Sequence, residues 1–499
     1  MHVLTPSEMA RADAVAIETG PFDGPGLMEN AGRAIHRAIL ARYPGAMRVA
    51  LLCGPGNNGG DGHVVARLLA KDGVAVRRFI SGAPRPGSDA AVADATCPVK
   101  PEPLSSFDVS GCDLVVDALF GAGLSQPLDD DLARLAGQVA GSGVPVVAVD
   151  LPSGLSGHTG RPLGACFRAD LTVTFFRKKP GHLLEPGRNL CGELLLADIG
   201  IPERVLDAVK ADCFENGPEL WAGHLPDHGR DTHKYARGGA AVFSGGVSST
   251  GAARLAAMAA ARAGSGAVTM LSPPSAVMVH ACHLTEVMLR AVATPQEASA
   301  ILGEGKTRAA LIGPGFGVGA AARGFVTGLL EAVAEGGRGL TACVLDADAL
   351  TSFEPESESL FAAIGASALD VIMTPHSGEF SRLFADLAAD TALGKLEQGR
   401  AAAKRSGAVV VFKGPDTVIA APDGRAAINT NATSALATAG SGDVLAGIAT
   451  GLLAQGMAPF EAACAAVWLH GEAGMAAGPR PIAGDLVEAL RHIAFPVRA

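Results

Sequence analysis

The chain has 499 residues, 48% hydrophobic and 18% charged, with a mean hydropathy of +0.28. That is too long for one hydrophobic core and too apolar for a disordered chain, so two or three folded domains are expected. With 40 basic against 50 acidic residues and no basic block, the net charge of -10 argues against nucleic acid as a main partner.

The N-terminus MHVLTPSEMARADAVAIE carries early acids and no basic-then-apolar pattern, so no signal peptide is expected. Nine cysteines without a CxxC pair read as reduced thiols. The least charged stretch, 451–478, is broken by Pro459, Glu461, His470 and Glu472 and is not expected to span a membrane. These features together predict a cytoplasmic protein.

In the first half, short apolar runs alternate with helix-like segments: RVALLCG, VAVRRFI, CDLVVDAL, VPVVAVDL, DLTVTFF and GELLLADIGI. Such runs predict an α/β domain with a parallel sheet covered on both faces. The pattern lapses over 213–238, which is polar, Gly- and Pro-containing and aperiodic, so the boundary is placed near 218, giving domains 1–218 and 219–499. The second half restarts with AAVFSGG, AVTMLS, AALIGPG, ACVLDAD, DVIMTP and AVVVFKG, and VVVFKGPDTVIAAPDGR reads as strand, turn and strand.

RVALLCG runs through GPGNNGGDG into GHVVARLLAKDG, so Gly54, Gly56 and Gly59 satisfy G-x-G-x-x-G between a strand and a helix. Glycines there let backbone N–H groups approach phosphate. The next strand, VAVRRFI, ends without the acid that a dinucleotide dehydrogenase places on the ribose, which disfavours that class. Asn57, Asn58 and Asp61 are turn formers and a helix cap, or they are ligands. Asp117 and Asp150 close two later strands, with Ser153 just beyond. Parallel strands bring these ends to one crevice, where carboxylates, amides and a hydroxyl suit a hard cation.

Together GPGNNGGDG, VVDALFGAGL, VDLPSGL and DLTVTFFRKKPGH resemble the NAD(P)H-hydrate epimerase family over about residues 1–218. The resemblance implies a Rossmann-like domain that interconverts R and S hydrates of NADH and NADPH at C6. It assigns hydrate binding to Asn57, Asn58, Gly59, Gly60 and Asp61, to Gly121, Ala122, Gly123, Leu124, Ser125, Gln126 and Pro127, and to Asp150. Asn58, Asp117 and Ser153 would hold a potassium ion. Asp150 is the expected acid/base, and Lys178 or Lys179 either faces the site or belongs to a solvated basic turn. GAGLSQ stands where many relatives have GTGLSR, removing an arginine but keeping the loop backbone.

In the second half, NATSALATAGSGDVLAGIATGLL brings a glycine turn to Asp443 as an apolar helix begins. The turn offers N–H groups to developing negative charge, and Asp443 is either a base for a hydroxyl proton or an N-cap. Companions are Ala252 at a helix start, Gly317 after a strand, and Asp346 and Asp348 as caps or ligand contacts. His376 follows a strand, and Lys413, Gly414 and Thr417 lie in a turn suited to a nucleotide. HKYARGG, GPGFG, LDADAL, TPHSGEF, VVVFKGPDT and AGSGDVLAGI, in this order, resemble the ADP-dependent NAD(P)H-hydrate dehydratase family over about 225–495.

That second resemblance implies a ribokinase-like fold, hence two three-layer α/β/α domains in all. Ala252, Gly317, His376 and Asp443 would contact the hydrate, and Lys413, Gly414, Pro415, Asp416, Thr417 and Gly442 the adenine nucleotide. Phosphoryl transfer to the C6 hydroxyl would use ADP and magnesium, with Asp443 as base, and release AMP and phosphate. The stretches TNATSALATAG and SGGVSSTGAA depart mildly from relatives. The resemblance also implies a homo-oligomer. The rival reading is a vitamin- or sugar-type kinase with an amino-terminal regulatory domain, which GSGD fits equally well. A scaffold role for the first half is disfavoured by its complete set of site residues.

Overall fold

The computed structural model describes residues 1–226, 234, 237–332 and 339–494. The chain divides into two compact units, residues 2–213 and residues 214–499 with Met1. No helix among the described residues is long and apolar enough to cross a membrane. Of HKYARGG, His233, Tyr235 and Ala236 lie outside the described residues.

The first unit is built on β1 (Arg48–Cys53), β2 (Ala75–Ile80), β3 (Pro101–Pro103), β4 (Leu114–Ala118), β5 (Val146–Val149), β6 (Leu171–Phe175) and β7 (Glu193–Ala197). Their order is β3-β2-β1-β4-β5-β6-β7 and all six neighbouring pairs are parallel. The order reverses beside β1, where crossovers leave a crevice at the carboxyl ends of β1 and β4. Alternate residues of β1 enter two separate cores: Val49, Leu51 and Cys53 on one face, Ala50 and Leu52 on the other. The sheet is thus covered on both sides, which is why its strands read as continuous apolar runs.

On the first face lie α1 (Pro6–Thr19), α2 (Gly24–Arg42) and α3 (Asn57–Lys71); α4 (Asp89–Thr96) packs on α3, and α5 (Asp130–Ser142) covers the second face. A reciprocal Thr5–Glu8 capping box starts α1, and Gly20 at φ 72° ends it.

The second unit has β8 (Cys213–Glu215), β9 (Gly239–Phe243), β10 (Ala267–Ser272), β11 (Met288–Ala291), β12 (Ala309–Ile312), β13 (Ala342–Leu345), β14 (Asp370–Met373), β15 (Val409–Phe412), β16 (Val418–Ala420) and β17 (Ala426–Ile428). They form one sheet in the order β11-β10-β9-β12-β13-β14-β15-β16-β17-β8. Strands β9 to β15 pair in parallel, while β15, β16 and β17 are antiparallel, as the strand–turn–strand reading of 409–425 anticipates. Helices Thr250–Arg262, Ser441–Ala454 and Pro459–Ala476 bury one face, and Lys395–Ser406 packs on β15 and β16.

The segment expected to be an aperiodic link differs. Residues 213–221 form β8 and the helix Pro218–Trp221. Trp221 is fully buried against Trp468, ring centroids 5.5 Å apart. Asn216 Nδ2 donates to Asn429 Oδ1 and to the Cys464 carbonyl, each at 2.9 Å. Elements this short complete no hydrophobic period, and only tertiary packing reveals them.

Candidate active sites

In the first unit the ends of β1, β4, β5 and β6 surround a cavity of about 600 Å³. Its wall contains Asn57, Asn58 and Asp61 of α3, residues 121–126, Asp150 and Lys179. Gly56 precedes α3 with no side-chain cap, leaving the first-turn N–H groups without a side-chain acceptor. Gly121 is required by close approach: an added Cβ would stand 2.8 Å from Asn58 Oδ1 and 2.9 Å from Asp150 Oδ2. Gly59 and Gly60 serve packing, pressing on the Gly54 carbonyl and on Met28. Pro127 and Lys178 are not part of the wall.

Asp150 follows β5 at φ 63°, a strained conformation for a residue with a side chain. His182 Nε2 donates to its carbonyl at 2.7 Å, while His182 Nδ1 accepts from the Lys179 N–H at 2.8 Å. Burial pushes this imidazole down to about 4, so it is neutral. The Asp150 carboxylate is tied on both oxygens. Lys179 Nζ at 2.7 Å and Thr174 Oγ1 at 2.9 Å donate to Oδ1, and the Ala122 N–H donates to Oδ2 at 2.9 Å. Burial would raise its pKa, but Lys179, His182 and the Ala122 N–H bring it down to about 2.

Asp117 is fully buried. Ser153 donates to it twice, from N at 2.7 Å and from Oγ at 2.6 Å, and the Phe120 N–H donates to Ser153 Oγ at 2.9 Å. Burial pushes Asp117 up to about 6 despite these bonds. Asn58 Nδ2 is buried without a hydrogen-bond partner among the described residues. Two other acids share the cavity: Asp13 on α1 and Asp61, 9% exposed on α3. Neither carboxyl makes a hydrogen bond with the described residues. Burial lifts Asp61 well above the usual carboxylate range, helped by Asp150 and Asp13. Burial lifts Asp13 to about 6, with Lys179 opposing. Met9, Asp13 and Ile17 were missed in the sequence; their i, i+4 spacing on one helix face was the available signal.

In the second unit β12, β13, β14 and β15 are neighbours, so the residues after them share one edge. Lys413 after β15 donates through Nζ to Asp346 Oδ1 at 2.9 Å, and Thr374 Oγ1 donates to the same oxygen at 2.7 Å. Asp346 is 1% exposed, and Ala347 beside it sits at φ 46°. Burial would lower Lys413, but Asp346 raises it further, keeping it charged. Asp348 Oδ2 accepts the Gly317 N–H at 2.8 Å, so it holds the loop after β12. Ala252 lies in the helix Thr250–Arg262, its Cβ 3.4 Å from where a Cβ on Gly315 would stand.

His376 caps the helix Ser377–Leu383 through Nδ1, which accepts the Gly378 N–H at 2.9 Å, and its side chain is 55% exposed. Gly414 and Thr417 close a turn, the Thr417 hydroxyl donating to the Gly414 carbonyl at 2.8 Å. Asp416 pairs with Lys395 at 2.5 Å. Pro415 lies within that turn, between Gly414 and Asp416.

Gly440, in the left-handed region at φ 88°, turns the chain into the helix Ser441–Ala454 without a side-chain cap. Gly442 and Asp443 are in its first turn. Asp443 is half-buried and its carboxyl makes no hydrogen bond with the described residues. Burial, reinforced by Asp346 and opposed by Lys413, lifts it to about 6. Beneath the turn, Ser441 Oγ lies 2.8 Å from His470 Nε2, and burial lowers this histidine to about 4. His470, Thr374 and Lys395 carried no local sequence signal, since each enters through packing from a distant element.

Residues 240–494 match the family described as NAD(P)H-hydrate dehydratase, and residues 25–181 the family described as YjeF-related protein N-terminus. The chain is 34% identical to the bifunctional NAD(P)H-hydrate repair enzyme Nnr of Moorella thermoacetica, covering 99% of this chain and 96% of that one. It is 32% identical to the bifunctional NAD(P)H-hydrate repair enzyme of Leishmania braziliensis, covering 95% and 88%. Among solved structures it is similar to the ADP/ATP-dependent NAD(P)H-hydrate dehydratase of Bacillus subtilis co-crystallized with ATP/Mg2+, at 28% identity and TM-score 0.49, covering 56% of this chain and 96% of that one. With relatives matched almost end to end and each unit holding its own built site, the chain belongs to the family of bifunctional NAD(P)H-hydrate repair enzymes.

Proposed function

We propose that the first unit interconverts the R and S hydrates of NADH and NADPH at C6, and that the second dehydrates the S form with ADP, giving NAD(P)H, AMP and phosphate. The observation that carries the second half is Asp443, a carboxyl without a hydrogen-bond partner among the described residues, in the first turn of a helix with no side-chain cap, beside a lysine held by Asp346. Hydroxide is a poor leaving group, whereas its phosphate ester leaves readily. Ionised Asp443 takes the C6 hydroxyl proton while the terminal phosphoryl of ADP moves to that oxygen. The first-turn N–H groups and the remaining Lys413 donors face the charge on the phosphoryl oxygens. Phosphate then leaves C6, a C5 proton is lost and the ring double bond is restored.

Ala252, Gly317 and His376 bound the hydrate in this reading, and residues 413–417 with Gly442 receive the nucleotide. Residues 240–494 match the family described as NAD(P)H-hydrate dehydratase, which supports the hydrate as the substrate of this unit. Magnesium supplies charge neutralisation on the phosphoryl oxygens when bound.

In the first unit Asn58, Asp117 and Ser153 would hold potassium. The fit rests on Asp117, a fully buried carboxyl with no side-chain cation offsetting its charge among the described residues, and on the unpartnered amide of Asn58, whose oxygen and nitrogen can exchange places. Potassium supplies that missing counter-charge when bound. Asn57, Asn58 and Asp61, residues 121–126 and Asp150 then bound the hydrate.

The test is product analysis with S-NADH-hydrate, ADP and magnesium. Equal yields of NADH, AMP and phosphate are expected. A stable phosphorylated organic product would instead favour a small-molecule kinase.

A further inference from the structure

The cavity of the first unit holds more acid than binding requires. Asp13 of α1, Asp61 of α3, Asp89 at the start of α4 and Asp150 after β5 all reach its wall, against one cation, Lys179. Asp150 is bound on both oxygens and neutralised by Lys179. Asp61 is nine-tenths buried, lines the cavity and has no hydrogen-bond partner among the described residues, and Asp13 is equally unpartnered. Two partnerless carboxyls in one cavity cannot both carry charge at low cost, so they retain a proton between them.

We infer that Asp13 and Asp61 are the proton-exchanging pair of the epimerase site and that Asp150 is a fixed anion that holds Lys179 and the loop at Ala122. The inference rests on the epimerase reading of this unit. It moves the acid/base part away from Asp150, whose partners make it a poor base. The raised titration of Asp61 and Asp13 and the lowered titration of Asp150 agree with that division.

The chemistry balances without a further reactant. The ionised member of the pair takes the proton of the C6 hydroxyl as the C6–N1 bond breaks and its electrons return to N1. The protonated member delivers its proton to N1. The product is an open aldehyde at C6 with an N–H enamine, and the two carboxyls have exchanged states. Rotation about C5–C6 presents the other aldehyde face. N1 re-forms the bond, its proton returns to one carboxyl, and the other carboxyl protonates the oxygen.

The test uses the full-length protein with purified R-NADH-hydrate, following formation of the S form by chromatography without ADP. Wild-type turnover establishes the epimerase reading itself, and its absence would remove that reading rather than this inference alone. Given that turnover, Asp61→Asn and Asp13→Asn are expected to lower kcat by about 10²–10⁴ with KM little changed, and Asp61→Glu to restore part of it. Asp150→Asn is expected mainly to raise KM. Hydrate binding by each variant, followed by equilibrium dialysis, separates a lost proton from a lost fold. The wild-type rate should rise with pH through about 6 as Asp13 ionises, and Asp13→Asn should lose that limb. In ¹⁸O-water the hydroxyl should keep its oxygen through a turnover. Variants that bind the hydrate and turn it over within about twofold of wild type would overturn the assignment. So would label entering at every turnover, because the C6–O bond would then be the one that breaks.

Discussion

The two units solve their charge problem with the same three residue types and use the result differently. After β5 and β6, Asp150 is gripped by Lys179 at 2.7 Å and Thr174 at 2.9 Å; after β13, β14 and β15, Asp346 is gripped by Lys413 at 2.9 Å and Thr374 at 2.7 Å. Both sites have a residue with a side chain at positive φ beside the grip, Asp150 itself and Ala347. Each leaves acid without a hydrogen-bond partner among the described residues: Asp13 and Asp61 in the wall of a cavity, Asp443 in the first turn of a helix. An isomerisation by proton exchange needs an acid and a base at one site, whereas phosphoryl transfer needs one base and a row of N–H groups facing charge. In the proposed reading these acids, rather than the shared Asp–Lys–Thr set, distinguish the two chemistries.

The sharpest way to break this comparison is to remove one unpaired acid and watch both reactions. Asp443→Ala should cut dehydration turnover by about 10²–10⁴ while ADP affinity and epimerisation stay near wild type. A comparable loss in both reactions would mean the variant damages more than its own site.

Removing the lysine of a grip should act on stability first. Lys413→Met strands Asp346, 1% exposed, as an uncompensated charge, at a cost of about 3–5 kcal/mol. The chain's two tryptophans, Trp221 and Trp468, both belong to the second unit, so urea unfolding read by fluorescence reports that unit. Unchanged unfolding would show that Asp346 takes up a proton instead.

A smaller cost, about 1–3 kcal/mol by the same readout, is expected for Asn216→Ala, which strips donors from Asn429 and the Cys464 carbonyl. The finest test is pH. Asp443 acts as a base only when ionised, and burial with Asp346 lifts its titration to about 6, so dehydration should rise with pH through about 6 and then level. Asp346→Asn removes one raising charge and should move that rise to lower pH. A profile flat from pH 5 to 8 would contradict the role given to Asp443.

Much of this was legible in the sequence where chemistry sits at the end of an apolar run. Asp117 near the end of β4, Asp150, Asp346 and Lys413 just after strands and Asp443 in the first turn of a helix all sit at the ends of strongly patterned elements, and parallel strands align such ends. What was not legible came from distant elements. Asp13 enters from α1, which precedes the glycine loop by a whole helix, and Lys179 finds Asp150 only because the strained turn after β5 aims the carboxylate at it. β3 is three residues long with two prolines, and β8, β11 and β17 are equally hidden because so few residues complete no period. Trp221 sat in a Gly- and Pro-rich stretch that reads as a link, yet its ring is core.

The most direct measurement follows the 340 nm absorbance of reduced nicotinamide in a mixture of R- and S-NADH-hydrate with enzyme, potassium, magnesium and ADP. Recovery of all the cofactor in one trace is the expected result, since every R molecule reaches the dehydratase as S. Recovery that stops at the S fraction would contradict an active first site, and no recovery with ADP or ATP would contradict the repair reaction itself.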